Sequence, residues 1–155
     1  MSDYDPDSEV SGQYLFAFVQ SAGKVSPVFE KKVNAKFEEE VGTLTQDGWY
    51  RTRDVTRAYE AILAEVGPKT MEEGGLETAK ALPFPEETSI EEAFELLCAE
   101  HVSDDVYRNT DSPRPAGQYT HEVSDRSARL GATEGYPYPN QFVRGVFDGI
   151  IRQYG

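Results

Sequence analysis

Apolar positions along most of this chain recur three and four residues apart, the period of a helix buried on one side. The clearest set is Val55, Ala58, Tyr59, Ile62, Leu63 and Val66. Gly67-Pro68 closes it with the glycine-then-proline order that stops helices, and Thr52 is the expected cap. Ser26-Pro27 opens an earlier helix, a capping hydroxyl followed by a proline suited to the first turn. Phe29, Val33, Phe37 and Val41 form its stripe, ended by Gly42. In Ser89–His101, Ser89 and Glu92 form a capping box, and Ile90, Ala93, Phe94, Leu97 and His101 form the buried face. Residues 12–20 are apolar at nearly every position, so periodicity alone does not separate helix from strand; a short helix ending before Gly23 is expected. A further helix is expected over Thr70–Leu82, loosened by Gly74-Gly75. Residues 82–86, with two prolines, read as an extended connector.

The pattern then changes. Asp104–Asn109, Gln118–Ser124 and Ala128–Thr133 read as strands, the last two joined by a turn at residues 124–126. A final helix opens at Asn140 and turns Val143, Val146, Phe147, Ile150 and Tyr154 inward. The fold class expected is α+β: N-terminal helices, a late antiparallel three-stranded meander and a closing C-terminal helix, in a single domain over residues 12–155. Residues 1–11 are acidic, contain Pro6 and lack periodicity, which suggests a mobile leader. Gly145 and Gly149 lie one turn apart in the closing helix, where each glycine costs about 1 kcal/mol relative to alanine. A surface pressed against that face would offset the cost. A dimer partner, a flat ligand and the chain's own sheet are the candidates.

Charge narrows the function. The 155 residues carry 28 acidic and 15 basic side chains, for a net charge of −13. The acids are dispersed, which favours adaptation to high salt over an acidic face aimed at a basic partner. A refolding curve against molar KCl separates the two. No basic stripe exists for nucleic acid or for an anionic membrane surface. Cys98 is the only cysteine, which excludes a disulfide framework and fits a reducing compartment. No apolar run approaches the length of a membrane span, and residues 1–9 do not resemble a signal peptide, so the expected location is cytoplasmic.

Several constellations could carry chemistry. Cys98 and His101 lie three apart on one helix, and His121 falls on an expected strand, so the three could hold a metal ion. The competing reading makes His101 part of an apolar stripe and Cys98 core filler. Trp49, Tyr50, Tyr136 and Tyr138, with Phe142, could wall an apolar pocket, or could simply pack the core edge. Ser103, His121 and Asp125 contain the letters of a hydrolase triad, but no nucleophile elbow or oxyanion loop accompanies them. No phosphate-binding glycine loop occurs. The chain therefore reads as non-enzymatic.

Three short motifs carry a family resemblance: Gly12-Gln-Tyr-Leu15, Trp49-Tyr50, and Tyr138-Pro139-Asn140-Gln141-Phe142 followed by Gly145. In this order they resemble a family of small prokaryotic ligand-sensing domains related to the 4-vinyl reductase, heme nitric-oxide-binding-associated and Golgi transport-particle superfamily. Two positions depart from that pattern. Arg51 stands where the family has proline, and Asn140 where it has cysteine, so thiol-based metal or redox sensing at that position is not implied. The resemblance implies a mixed fold, often dimeric, with an apolar pocket between sheet and helices. The function expected is a homodimeric sensing or signalling module that binds an apolar or planar ligand, with no cofactor named. The alternatives are a protein–protein adaptor with a filled interior, and a metal-binding protein using Cys98, His101 and His121.

Overall fold

Ser26 sets the first corner of the fold. Its N–H closes the first helix, α1 (Gly12–Val25), on the Ala22 carbonyl at 3.0 Å, and its hydroxyl accepts from Phe29 N–H at 3.0 Å to open α2 (Pro27–Val41). α1 thus runs through Gly23 instead of stopping before it, with the Glu30 side chain of α2 lying over that glycine. Gly42 (φ 81°) ends α2 and Gly67 (φ 86°) ends α3 (Thr52–Val66), a backbone region that glycine enters without a Cβ clash. This computed structural model describes residues 5–82, 84–85, 87–101, 106–112, 115, 119–123, 128–132 and 138–154.

Among the described residues the remaining helices are α4 (Pro68–Lys80), α5 (Ile90–His101) and α6 (Asn140–Tyr154), and the class is α+β. The Ser89 hydroxyl accepts from Glu92 N–H at 3.2 Å at the start of α5, as the capping box requires. The described residues also form five short strands: β1 (Glu9–Ser11), β2 (Trp49–Arg51), β3 (Tyr107–Arg108), β4 (Tyr119–Val123) and β5 (Ala128–Ala132). None of the described helices is long and apolar enough to cross a membrane.

The sheets differ from expectation in which strands they join. β4 and β5 pair antiparallel, with Tyr119 opposite Ala132 and His121 opposite Leu130, but β3 does not extend them into a meander. It pairs with β1, whose other edge holds β2, giving a three-stranded antiparallel sheet in the order β2-β1-β3. Residues 5–11, expected to belong to a mobile leader, are placed in this sheet and against α3. Val10 is fully buried, and Ser8 is buried with its hydroxyl 2.7 Å from that of Thr52. Carboxylates tie the segment down as well: Asp5 accepts from the Thr110 hydroxyl at 2.6 Å, Asp7 pairs with Arg53, and Glu9 takes Arg108 at 3.1 Å. Periodicity missed β1 because three residues are too few to show one. Thr52 is correspondingly the first residue of α3 and faces the interior; Arg51 precedes it without a capping side chain.

α4 and α6 form the tightest contact in the fold. A Cβ on Gly145 would overlap the Glu72 carbonyl oxygen, and one on Gly75 would overlap that of Phe142. The helices meet backbone to backbone through these glycines. Gly74 completes the seam from the other side, where a Cβ would lie 3.1 Å from Phe29 and 3.2 Å from Phe18. Gly74-Gly75, expected to loosen α4, are thus the residues that let α1, α2 and α6 close around it. At the centre Phe18 packs against Phe29, Phe37, Tyr59 and Phe142, with ring centroids 4.9–6.5 Å apart.

Candidate ligand-binding cavity

α1 lines a cleft with two kinds of side chain. Tyr14 and Phe18 are large, while Ala17 and Ser21, next along the same face, are small. Across from them the C-terminal end of α4 presents Thr78 and Ala81. Small residues on both sides leave a cavity of about 710 Å³, within the ordinary range for small-molecule sites. Trp49 and Tyr59 wall it from β2 and α3, Leu97 and His101 from α5, Tyr119 from β4, and Phe142 and Val146 from α6. Its rim is exposed, at Gln13 and Ala17 of α1, Gln46 and Asp47 of the α2–β2 loop, and Ala81.

The depth of the cavity is aromatic with polar tips. His101 is 2% exposed; its ring lies 4.8 Å from Tyr119, 5.7 Å from Tyr107 and 6.1 Å from Tyr138. The Tyr107 and Tyr138 hydroxyls meet at 2.6 Å behind this wall. Tyr59 is buried at the junction, 5.1 Å from Tyr138 and 5.7 Å from Phe142. Among the described lining residues none is Lys or Arg, and Asp47 is the sole carboxylate.

The expected pocket residues divide. Trp49 and Phe142 line the cavity. Tyr138 stands one layer behind it, in contact with Tyr59 and His101. Tyr50 is elsewhere: its hydroxyl accepts from Thr45 N–H at 2.7 Å and donates to the Thr43 carbonyl at 2.9 Å, bracing the α2–β2 loop. Tyr136 lies outside the described residues, as do Ser103 and Asp125 of the triad letters. Tyr14, Tyr59, His101 and Tyr119 were not recognised as wall residues in the sequence, where Tyr59 and His101 fall on apolar stripes, Tyr14 in the apolar segment 12–20 and Tyr119 on an expected strand.

The proposed metal trio does not converge. Cys98 Sγ lies 3.8 Å from His121 Nδ1 and donates to the Tyr119 carbonyl at 3.5 Å, while His101 is held among tyrosines. No group of three His, Cys, Asp or Glu side chains among the described residues is placed to hold a metal ion. The three-residue spacing on α5 puts Cys98 and His101 on one face but aims them at different neighbours. Gly145 and Gly149 are likewise occupied, and by α4 rather than by the sheet, so this face is closed to a second copy.

Burial sets the titration of two groups here. Desolvation holds the Tyr59 phenol well above its ordinary 10.0, reinforced by Tyr138 and Tyr119. Desolvation, then the nearby Glu95, raises the Cys98 thiol above 9.0. Both groups are neutral when protonated, so a raised folded value means that the fold favours the protonated form. That contribution is complete below 9.0 and is lost as pH climbs first through the Cys98 range and then through that of Tyr59. Thermal melts across this alkaline window should show a falling melting temperature, and Cys98→Ala should remove the earlier part of the fall. A flat profile would contradict the buried placement.

Fold and site together define an α+β domain with a solvent-open cleft backed by buried aromatic side chains. Compared with protein-family models, with curated proteins and with solved structures, the chain finds no significant match in any of the three.

Proposed function

We propose that this chain is a non-enzymatic sensing module that binds an apolar or planar small molecule in the cavity between α1, α4, α5 and α6. The observation that carries this reading is the hollow itself. A concave cleft of about 710 Å³, bounded by α1, the α2–β2 loop and the end of α4 and backed by a dense aromatic cluster, has the size and lining of a small-molecule site. The cavity also favours this reading over an adaptor, for which a filled interior was expected. We place the module in the cytoplasm on the strength of its single cysteine and read its dispersed acidity as salt adaptation. The homodimer implied by the resemblance would use a face other than the glycine seam.

The test uses Trp49, the only tryptophan, as a reporter in the cavity wall. Titration with uncharged aromatic compounds should change its emission and raise the melting temperature by several degrees, since a ligand at about 100-fold its Kd adds roughly 2.7 kcal/mol. Thr78→Phe, at a half-buried position on the opposite wall, should fill the cleft and abolish both responses. Ala17→Phe, at the exposed rim, should weaken them without touching the core. Unchanged binding in both variants, or no binding by the native chain, would refute the proposal.

A further inference from the structure

We infer that the cavity takes a hydrophobic cation, an aryl or alkyl ammonium whose apolar body lies inside and whose charge sits at the mouth beside Asp47; this rests on the cavity reading above. A charged group is costly to bury unless an opposite charge meets it. Among the described lining residues none is Lys or Arg, and the one imidazole, His101, is 2% exposed and held among tyrosines away from the mouth. The depth offers Tyr59, His101 and Tyr119, suited to an aromatic or aliphatic body. The charge complement is at the rim, where Asp47 is exposed next to Trp49. Trp49 already carries one cation: the Arg108 guanidinium lies 4.4 Å from its ring centroid. That guanidinium is engaged by the Glu9 carboxylate at 3.1 Å, which offsets its repulsion of an incoming ammonium. The net charge of −13 adds a field of the same sign as Asp47.

Three probes with one skeleton separate the possibilities: 4-phenylbutylammonium, 4-phenylbutan-1-ol and 4-phenylbutyrate, followed by Trp49 emission and calorimetry. The ammonium should bind about threefold to tenfold tighter than the alcohol, the range of one partly exposed ion pair with a cation–π contribution. The carboxylate should bind more weakly than either. Asp47→Asn should reduce the ammonium-to-alcohol ratio toward one. Glu91→Gln removes one exposed charge outside the cavity wall and controls for the general field; it should keep the ratio. If the alcohol binds but the ammonium is no tighter, or if D47N and E91Q behave alike, the charge assignment fails and the cavity reading stands. If none of the three binds, both fail.

Discussion

Gly145→Ala should destabilise the fold by roughly 3 kcal/mol or more, against the sign that helix propensity dictates. In an isolated helix the same change would stabilise by about 1 kcal/mol, because glycine is the poorer helix former. Here the new methyl would overlap the Glu72 carbonyl oxygen, with the Glu72 carbonyl carbon and Leu76 nitrogen both at 2.9 Å. Those are backbone atoms of α4, and no rotamer change moves them. Relief requires α4 and α6 to separate, which unpacks Phe142 and Val146 from the interior. Gly149→Ala provides the contrast. Its Cβ would lie 2.6 Å from the Ala79 methyl and 3.0 Å from the Leu76 carbonyl oxygen, so part of its cost is a clash between two methyls. Adding Ala79→Gly should recover part of the loss from Gly149→Ala, whereas nothing of that kind is open to Gly145→Ala. Urea midpoints of the parent, Gly149→Ala, Ala79→Gly and the double variant give the coupling directly. A Gly145→Ala protein as stable as the parent would mean that α4 and α6 do not touch.

Phe18→Ala should cost about 3–5 kcal/mol. Phe18 is 1% exposed and meets four rings: edge-on at 6.1 Å with Phe29, 6.5 Å with Phe37 and 5.1 Å with Phe142, and tilted at 4.9 Å with Tyr59. These come from α2, α3 and α6, so one truncation loosens three elements at once. Phe18 also lines the cavity, and its removal enlarges a hollow that already exists, leaving neighbours little reason to collapse inward. Val28→Ala, 63% exposed on α2, is the control and should stay within about 0.5 kcal/mol. A loss below about 1 kcal/mol for Phe18→Ala would remove this residue from the centre of the core.

The two predictions mark where the chain could and could not be read from sequence. Helix ends were legible because their chemistry is local: Ser26-Pro27, Gly67-Pro68 and the Ser89–Glu92 box each act within one turn. The strain at Gly145 and Gly149 was also legible, but its cause was not. The partner was written in the chain as Gly74-Gly75, a second pair of small residues in a helix, and two such pairs fit each other. Strand partners were illegible for a different reason. β1 and β3 have three and two residues, too few for an alternating pattern, and each finds its neighbour by long-range closure. The cavity was half visible. Trp49 and Phe142 fall near turns where aromatics draw notice, whereas Tyr59, His101 and Tyr119 occupy inward positions that any core aromatic would fill. Nothing in the spacing of a single helix shows that the opposite wall, at Thr78 and Ala81, is made of small residues.

The glycine seam bears on how the chain is made. On the ribosome α4 emerges long before α6, and until residues 140–154 follow, its glycine face is bare to water with no neighbour to favour the helical state. The central strand of the sheet waits in the same way, since Glu9 meets Arg108 only after most of the chain has left the exit tunnel. Nascent chains stalled before α6 should therefore be easy prey for proteases across α4, and maturation should arrive as one late step, not helix by helix.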